Sequence, residues 1–330
     1  MAHAAQSRLG LALRLIVIAI IVVVVIALAY RLDWRRLGEV FSRARAWPLV
    51  LAAALHFAAL WAKAMCWRVM LAPRHRVPVT RLFRYTIAAY AGSAVAPVRA
   101  GEALRLWALK TRDGVPLADS AAAALCEKVF DGAAMFALAL PLPWLLPDLP
   151  RSLRLTMAIG PVAIAAVIAA LAIVASRAGV DGWLARFARG MHVLRSPRRA
   201  AAAFGALVAA WAIDLTMVEL VLYAVGVPLP PPTAFVVLLA INLAIAVPTT
   251  PAQVGMHEAG AIAGLSLFDI PAEPAVAFAL LYHALQILPL IAVGLALEWR
   301  LISRFAHGRD RRVDCTAPLT VVDAVEHVAR

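Results

Sequence analysis

Residues 234–258, AFVVLLAINLAIAVPTTPAQVGMHE, contain the pattern that decides the fold. The apolar run Ala234–Val247 ends at Pro248, passes through a segment with a second proline and Gly255, and reaches the carboxylate of Glu258. Helix-breaking residues beside such a run are tolerated at membrane depth only where the backbone is buried in protein or lines a watery cavity. We interpret the stretch as a re-entrant or broken membrane helix.

A second stretch has the same pattern. The apolar run Tyr85–Val98 leads into Ala96-Pro97-Val98-Arg99-Ala100-Gly101-Glu102. Pro97 and Gly101 precede Pro251 and Gly255 by the same offset of 154 (251 − 97 and 255 − 101). Each break is followed by an Ala-rich helix, which indicates an internal repeat. With three crossings between the breaks, the two copies are expected to enter from opposite faces, as in the inverted repeats of many secondary transporters.

Composition points to the membrane. Of 330 residues 64% are hydrophobic and 15% charged, and the mean hydropathy is +0.84, whereas a soluble domain has about 25% charged residues. The predicted fold is an all-α polytopic membrane protein with about six full spans plus two re-entrant or broken helices. The predicted spans are Leu11–Tyr30 (uncleaved, rather than a signal peptide), Pro48–Leu71, Ala118–Leu146, Leu153–Ser176, Ala200–Val227 and Ala275–Leu301.

These spans predict a single transmembrane domain over residues 1–305, with repeat halves at about 48–150 and 200–301. Residues 306–330 are expected to form a short, mobile cytoplasmic tail. The cysteines Cys66, Cys126 and Cys315 lie far apart and predict neither a disulfide framework nor a metal site.

Basic residues set the expected orientation. The formal net charge is +13, yet residues 200–299 contain no Lys or Arg, so the excess fits the positive-inside rule better than nucleic-acid binding. Arg-rich connections at 72–84, 99–112, 177–199 and 300–312 place both termini in the cytoplasm of a plasma (inner) membrane protein, with 227–233 and 266–274 outside. The connection 31–47 also carries five Arg, and we interpret it as an amphipathic helix on the outer surface.

Ionisable residues in apolar segments are the first candidates for function, because they are costly in the bilayer. Glu127 and Asp131 are four residues apart and share a helix face, with Lys128 placed to neutralise either. The second repeat has Tyr282, His283 and Gln286 at the equivalent positions. A head-group site and a structural ion pair are both compatible with this pattern. Lys63 and Arg68 are expected to extend to lipid head groups.

The breaks supply further candidates. Freed amides at a helix N-terminus bind anions, and the forked guanidinium of Arg99 suits a phosphate. Arg99 and Glu102 flank Gly101, and His257 and Glu258 follow Gly255. The alternative is a solvated interfacial pair of Arg99 and Glu102. His257 and Glu258 do not form a zincin motif, since Ala261 stands where the second His is required.

Enzyme motifs are absent from the sequence: it has no phosphate loop of the Gly-x4-Gly-Lys type, no Gly-x-Gly-x-x-Gly and no Gly-x-Ser-x-Gly. We therefore expect no enzymatic activity, no cofactor and no metal ligands. Membrane lipids are the expected partners, with a homo-oligomer or lipid-biosynthesis proteins left open.

The breaks resemble the flippase-like transmembrane domain of lysylphosphatidylglycerol synthases, a family with stand-alone members, some linked to hopanoid biosynthesis. The similar residues are Pro97–Glu102 with Arg105, Glu127 with Asp131, and Pro248–Glu258. The family usually has a Pro-Gly-Gly-x-Gly pattern at the second break, where this chain has Pro251-Ala252-Gln253-Val254-Gly255. The resemblance covers about residues 10–305.

The resemblance implies translocation of a lipid, a phospholipid or another polar or isoprenoid lipid, between leaflets through a polar crevice. Aminoacyl transfer is not implied, because the synthases carry it in a separate soluble domain. The alternatives are a membrane-embedded transferase with Glu127, Asp131 or Glu258 as general base, and an accessory subunit of a lipid biosynthetic complex. The candidate substrate-binding residues are Arg99, Gly101, Glu102, Arg105, Glu127, Lys128, Asp131, Pro251, Gly255, His257, Glu258 and His283.

Overall fold

The computed structural model describes residues 33–72, 74–95, 100–177, 183–246 and 250–306. The predicted span Leu11–Tyr30, the candidate residue Arg99 and the predicted tail from residue 307 onward lie outside the described residues.

The described residues are helical and contain no β-strand. Two 3-10 turns, Met191–Arg195 and Pro251–Gln253, interrupt the α-helices. The α-helices are α1 (Trp34–Arg43), α2 (Ala46–Leu71), α3 (Val79–Val95), α4 (Ala100–Asp113), α5 (Leu117–Ala139), α6 (Leu142–Leu145), α7 (Arg151–Arg177), α8 (Trp183–Gly190), α9 (Pro197–Ala224), α10 (Pro231–Ile245), α11 (Met256–Ser266) and α12 (Ala272–Ala306).

Four of the described helices, α2, α7, α9 and α12, are long and apolar enough to cross a membrane. The protein is therefore an all-α membrane protein, as its composition predicts. The predicted span Ala118–Leu146 is wrong in its extent, because α5 ends at Ala139 and the separate helix α6 follows. α5 is long enough to span but carries several charged residues, and the exact number of spans stays a prediction.

The first break joins α3 and α4 into a helical hairpin. Gly101 makes the close approach possible, since a Cβ there would lie 1.6 Å from the carbonyl oxygen of Ala89. At the open end of the hairpin the Tyr85 hydroxyl donates to Asp113 Oδ2 at 2.8 Å, and Arg81 also binds the Asp113 carboxylate. The chain thus turns back at the break instead of continuing as one straight helix.

The second break forms a similar hairpin from α10 and α11. A Cβ on Gly260 would lie 2.8 Å from the Ile241 Cα, and one on Gly264 would lie 2.9 Å from the Val237 Cα. Contacts this short between backbones require glycine, since real Cβ atoms do not approach so closely. The small residues therefore set the separation of the two helices.

The two hairpins open toward opposite ends of α12. At the open end of the first hairpin, Arg84 and Arg112 bind Glu298 near the end of α12 at 2.7 and 2.8 Å. The open end of the second hairpin is joined to the start of α12 by residues 267–271. Its tip lies at the middle of α12, where His283 binds the carbonyl of Ala252. The 3-10 turn at this tip also contacts α3.

The helix bundle has one strongly basic end, made by residues 72, 74–79, 113–117 and 190–199 together with Glu298–Arg300. There the Ala72 carbonyl accepts from His192 at 2.5 Å and from Arg199 at 3.1 Å. The Arg-rich connections, which the sequence predicts to lie on one face of the membrane, thus lie at the same end of the bundle.

At the opposite end, the Arg45 amide donates to the Ala224 carbonyl at 3.1 Å. This end also contains residues 224–231 and 266–272. α1 leads into it and packs against α12. The described part of the connection 31–47 is thus largely helical, with Asp33 Oδ1 accepting from the Arg35 and Arg36 amides at its start.

Candidate functional site

A buried ion pair links the first hairpin to α5. Arg105 Nη2 lies 2.6 Å from Glu127 Oε2, and the side chains are 6% and 7% exposed. The Arg105 guanidinium also stacks over the Trp67 ring, 3.9 Å from its centroid. Removing two charges from water costs free energy, and the attraction within a buried ion pair offsets that cost only when the geometry of the pair is good. Arg105 and Glu127 are therefore fixed relative to each other.

A second ion pair beside the first is open to the surroundings. Lys128 Nζ lies 2.9 Å from Glu102 Oε1, with side chains 49% and 40% exposed. The salt bridge of Lys128 is therefore with Glu102 rather than with Asp131, while the charge of Lys128 also acts on the adjacent Glu127. Lys128 projects from α5 to the first turn of α4, because neighbouring positions 127 and 128 point to different sides of the helix.

Asp131 is paired from α2. Lys63 Nζ lies 3.5 Å from Asp131 Oδ1, with side chains 14% and 22% exposed. The Trp211 indole nitrogen donates to the Asp131 carbonyl at 3.0 Å, which brings α9 to the same place. Lys63 thus points into the bundle, and the expectation that it extends to head groups is wrong, because the half-buried Asp131 carboxylate offers it a partner. We call Lys63, Glu102, Arg105, Glu127, Lys128 and Asp131 the first polar cluster.

The second break holds another polar group. His283 Nδ1 lies 2.5 Å from Glu258 Oε1, and His283 Nε2 lies 2.9 Å from the Ala252 carbonyl oxygen. Glu258 Oε2 also accepts from the Gly255 amide at 2.7 Å, which caps α11. The His257 ring stacks on that of His283 with centroids 4.2 Å apart. We call His257, Glu258 and His283 the second polar cluster.

The backbone at the second break is left-handed at three positions. φ is 52° at Ala252, 62° at Gln253 and 88° at Gly255. These are the positions at which the Pro-Gly-Gly-x-Gly pattern of the resembling family has glycine. The turn conformation is thus kept although two glycines are replaced, at a cost of roughly 1–2 kcal/mol for each non-glycine residue. Pro251 begins this turn.

Lys128 and His283 lie at positions that the predicted repeat makes equivalent, 155 residues apart (283 − 128). Each binds a glutamate in the first turn of the second helix of its hairpin, Glu102 for Lys128 and Glu258 for His283. The two positions that the spacing of the sequence aligns therefore also make similar side-chain contacts.

Asp214 of α9 lies near Lys63 and Asp131 of the first cluster and near Tyr282 of α12. Tyr282 packs against His257, with ring centroids 5.5 Å apart. The predicted residues thus form two groups with Asp214 between them.

The second polar cluster also has the spacing of a metal site. One ligand atom from each of its three residues lies within 4.8 Å of the others, among the residues the structure describes. The zincin motif requires a second histidine at position 261, one helical turn after His257. The second histidine comes instead from α12, a contact that no local motif reveals.

Sequence reasoning missed acidic residues at the basic end. Asp113 binds Arg81 and Tyr85, and Glu298, which is 3% exposed, binds Arg84 and Arg112. Asp119 is 4% exposed and binds Arg74 and His75 at 3.3 and 2.6 Å. For Asp113 and Glu298 the available signal was a carboxylate beside an Arg-rich connection, whereas Asp119 lies in the first turn of α5.

Comparisons with known proteins agree with this architecture. No curated protein matches the chain. The family model described as the lysylphosphatidylglycerol synthase TM region matches residues 12–294, a range that contains both hairpins and both polar clusters. The chain belongs to the family of lysylphosphatidylglycerol synthase transmembrane regions.

Proposed function

We propose that the protein translocates a polar lipid between the leaflets of the plasma (inner) membrane. The observation that carries the proposal is the first polar cluster, in which six charged side chains from α2, α4 and α5 meet in an apolar bundle, four of them largely buried and Glu102 and Lys128 half-exposed. Each charge at mid-bilayer costs about 2.5–3.5 kcal/mol on insertion scales. Such a concentration is typical of a pathway for a polar substrate.

The hairpins support a transport pathway. We propose that both are re-entrant, that they form an inverted repeat, and that their tips lie near the membrane midplane. Their opening toward opposite ends of α12 supports this, as do the tip contacts with α3 and His283. Substrate sites of inverted-repeat transporters lie where discontinuous helices meet.

The pair Glu102–Lys128 is the proposed contact for the head group. It is half-exposed, in contrast to the buried pair Arg105–Glu127 beside it. Lys128 would bind a phosphate and Glu102 a cationic moiety, so that a zwitterionic head group replaces the ion pair without leaving a charge unpaired. Arg99, close to Glu102 in sequence, would add a second donor for the phosphate.

The proposed orientation places the basic end in the cytoplasm, and with it both termini. Large exposed aromatic residues at both ends of the bundle support a membrane–water interface at each end. Trp47 and Trp144 are exposed at the end opposite to the basic end, and Trp299 is exposed at the basic end itself. Tryptophan is enriched at both membrane surfaces.

A membrane-embedded transferase is the second candidate. The short contact between Glu258 and His283 favours it, because a carboxylate that orients a histidine is a common general-base arrangement. Such an enzyme would produce a chemically changed lipid, whereas the proposed transporter changes only the leaflet in which the lipid resides. We favour transport, with membrane lipids as the partners.

A deletion strain tests the proposal. The lipids of each leaflet are measured after complementation with wild type, Lys128→Ala or the control Lys110→Ala, whose side chain is exposed at the end of α4. We expect one lipid class to change its leaflet distribution, with rescue by wild type and Lys110→Ala but not by Lys128→Ala. If the deletion strain lacks one lipid species while the remaining lipids keep their leaflet distribution, the result would favour the transferase instead.

A further inference from the structure

The hydrogen bonds of His283 require a positive centre beside it. His283 Nε2 faces the Ala252 carbonyl, which only accepts, so Nε2 carries a hydrogen. In a neutral ring Nδ1 then has a lone pair, and it faces Glu258 Oε1 at 2.5 Å. Two lone pairs do not face each other at this distance. At this separation a proton lies between the imidazole and the carboxylate. A metal ion takes its place when the two atoms move apart, since zinc lies about 2 Å from each nitrogen or oxygen ligand.

His257 provides the observation that favours a metal. It is 1% exposed, and neither ring nitrogen has a hydrogen-bond partner among the described residues. Gln286 lies nearby without meeting hydrogen-bond geometry. Buried polar groups nearly always have a partner. A buried imidazole with free nitrogens, stacked on His283 at 4.2 Å, is suited to complete a ligand set.

The donors also indicate the class of metal. Two imidazoles and one carboxylate suit zinc and neighbouring transition metals, whereas calcium and magnesium prefer oxygen ligands alone. The outer hydrogen bonds of such a site are present as well. The Ala252 carbonyl fixes the His283 ring, and the Gly255 amide fixes the Glu258 carboxylate.

We propose that His257, Glu258 and His283 bind one transition-metal dication of the zinc class at the tip of the second hairpin. The ion replaces the proton between Glu258 and His283, and the His257 ring turns out of its stack to direct a nitrogen at it. Bound metal ties the start of α11 to the middle of α12. This inference is independent of lipid translocation and adds a ligand that the sequence does not predict.

Cobalt is the probe for the test. Tag-free full-length protein in detergent is titrated with Co²⁺ while visible absorption is recorded, and Zn²⁺ is then added to displace it. We expect one equivalent of Co²⁺ to give the bands of a low-coordinate site, with Zn²⁺ abolishing them. His257→Ala and His283→Ala should weaken binding at least tenfold. The matched control is His56→Ala, since His56 is also a buried histidine without a hydrogen-bond partner among the described residues.

A second variant keeps the test decisive if alanine disturbs folding. His257→Cys retains a ligand and should add the thiolate charge-transfer absorption of a Co–S bond. The proposal is overturned if wild type shows no such bands, as it would if the site held only a proton. It is also overturned if His257→Ala and His283→Ala bind Co²⁺ as wild type does, which would show adventitious binding. The measurement involves no lipid transport, so its failure is separate from failure of the proposed function.

Discussion

Arg105 and Glu127 bind each other at 2.6 Å between α4 and α5, where both side chains are almost fully buried. The neighbouring pair Glu102–Lys128 is half-exposed. The two pairs join the same two helices but differ in solvation, so their energetic roles should differ. The buried pair holds the first hairpin against α5, while the half-exposed pair remains accessible from outside the bundle.

Removing one partner of the buried pair should strongly destabilise the protein. Arg105→Met and Glu127→Leu are each expected to cost about 3–5 kcal/mol, because each leaves an uncompensated charge, and the double variant should cost less than their sum. Lys128→Met is the control, with an expected cost of about 0–1 kcal/mol. Denaturation in detergent measures all four. Single variants as stable as Lys128→Met would contradict the account.

Glycine at two positions of the second break should stabilise the protein. Ala252→Gly and Gln253→Gly relieve left-handed backbone at φ 52° and 62°, and each is expected to contribute about 1 kcal/mol. Val254→Gly is the matched control, because Val254 is not among the described residues with positive φ, and it should be neutral or destabilising. Melting temperatures in one detergent compare the three. A lower stability of both Ala252→Gly and Gln253→Gly would show that the turn differs from this geometry.

A methyl group at Gly101 should disrupt the first hairpin. The added Cβ would lie 1.6 Å from the Ala89 carbonyl oxygen, so Gly101→Ala is expected to cost about 3 kcal/mol or more. Gly205→Ala in α9 meets nothing within 4 Å and should be neutral or stabilising by about 0.5–1 kcal/mol. The yield of monodisperse protein and its melting temperature report both changes. Equal stability of the two variants would argue against close packing of α3 on α4.

Orientation is tested by cysteine labelling of intact cells on a Cys-free background. Ser266 is exposed at the end expected outside, whereas Thr233 is buried and would be a poor reporter. Ser266→Cys should react with a membrane-impermeant maleimide, and Arg198→Cys at the basic end should react only after lysis. The reverse pattern would place the basic end outside.

The main features of the fold follow from local sequence. Apolar runs predict α2, α7, α9 and α12 within a few residues, because a span needs a fixed length of apolar chain. The breaks are predictable because Pro97 and Gly101, like Pro251 and Gly255, interrupt such runs. The boundary between α5 and α6 was missed because the sequence remains apolar across it, although Pro141 and Pro143 mark a helix break there.

The pairing of side chains was less predictable than their positions. Spacing along one helix suggests that Lys128 neutralises Glu127 or Asp131, whereas the salt-bridge partners of Lys128 and Asp131 lie on other helices. Lys63 is 68 residues from Asp131, and His283 is 25 residues from Glu258. Such contacts depend on helix packing, which a single sequence does not specify.

Lipid movement in reconstituted vesicles tests the central claim most directly. Vesicles carrying a fluorescent phospholipid, or the lipid identified from the deletion strain, are quenched from outside with dithionite, with and without the protein. Wild type and Lys110→Ala should make nearly all of the label accessible, whereas Lys128→Ala should leave about half protected, as in protein-free vesicles. The account would be contradicted if wild-type vesicles retained the protected half with the native lipid, or if Lys128→Ala moved that lipid at the wild-type rate.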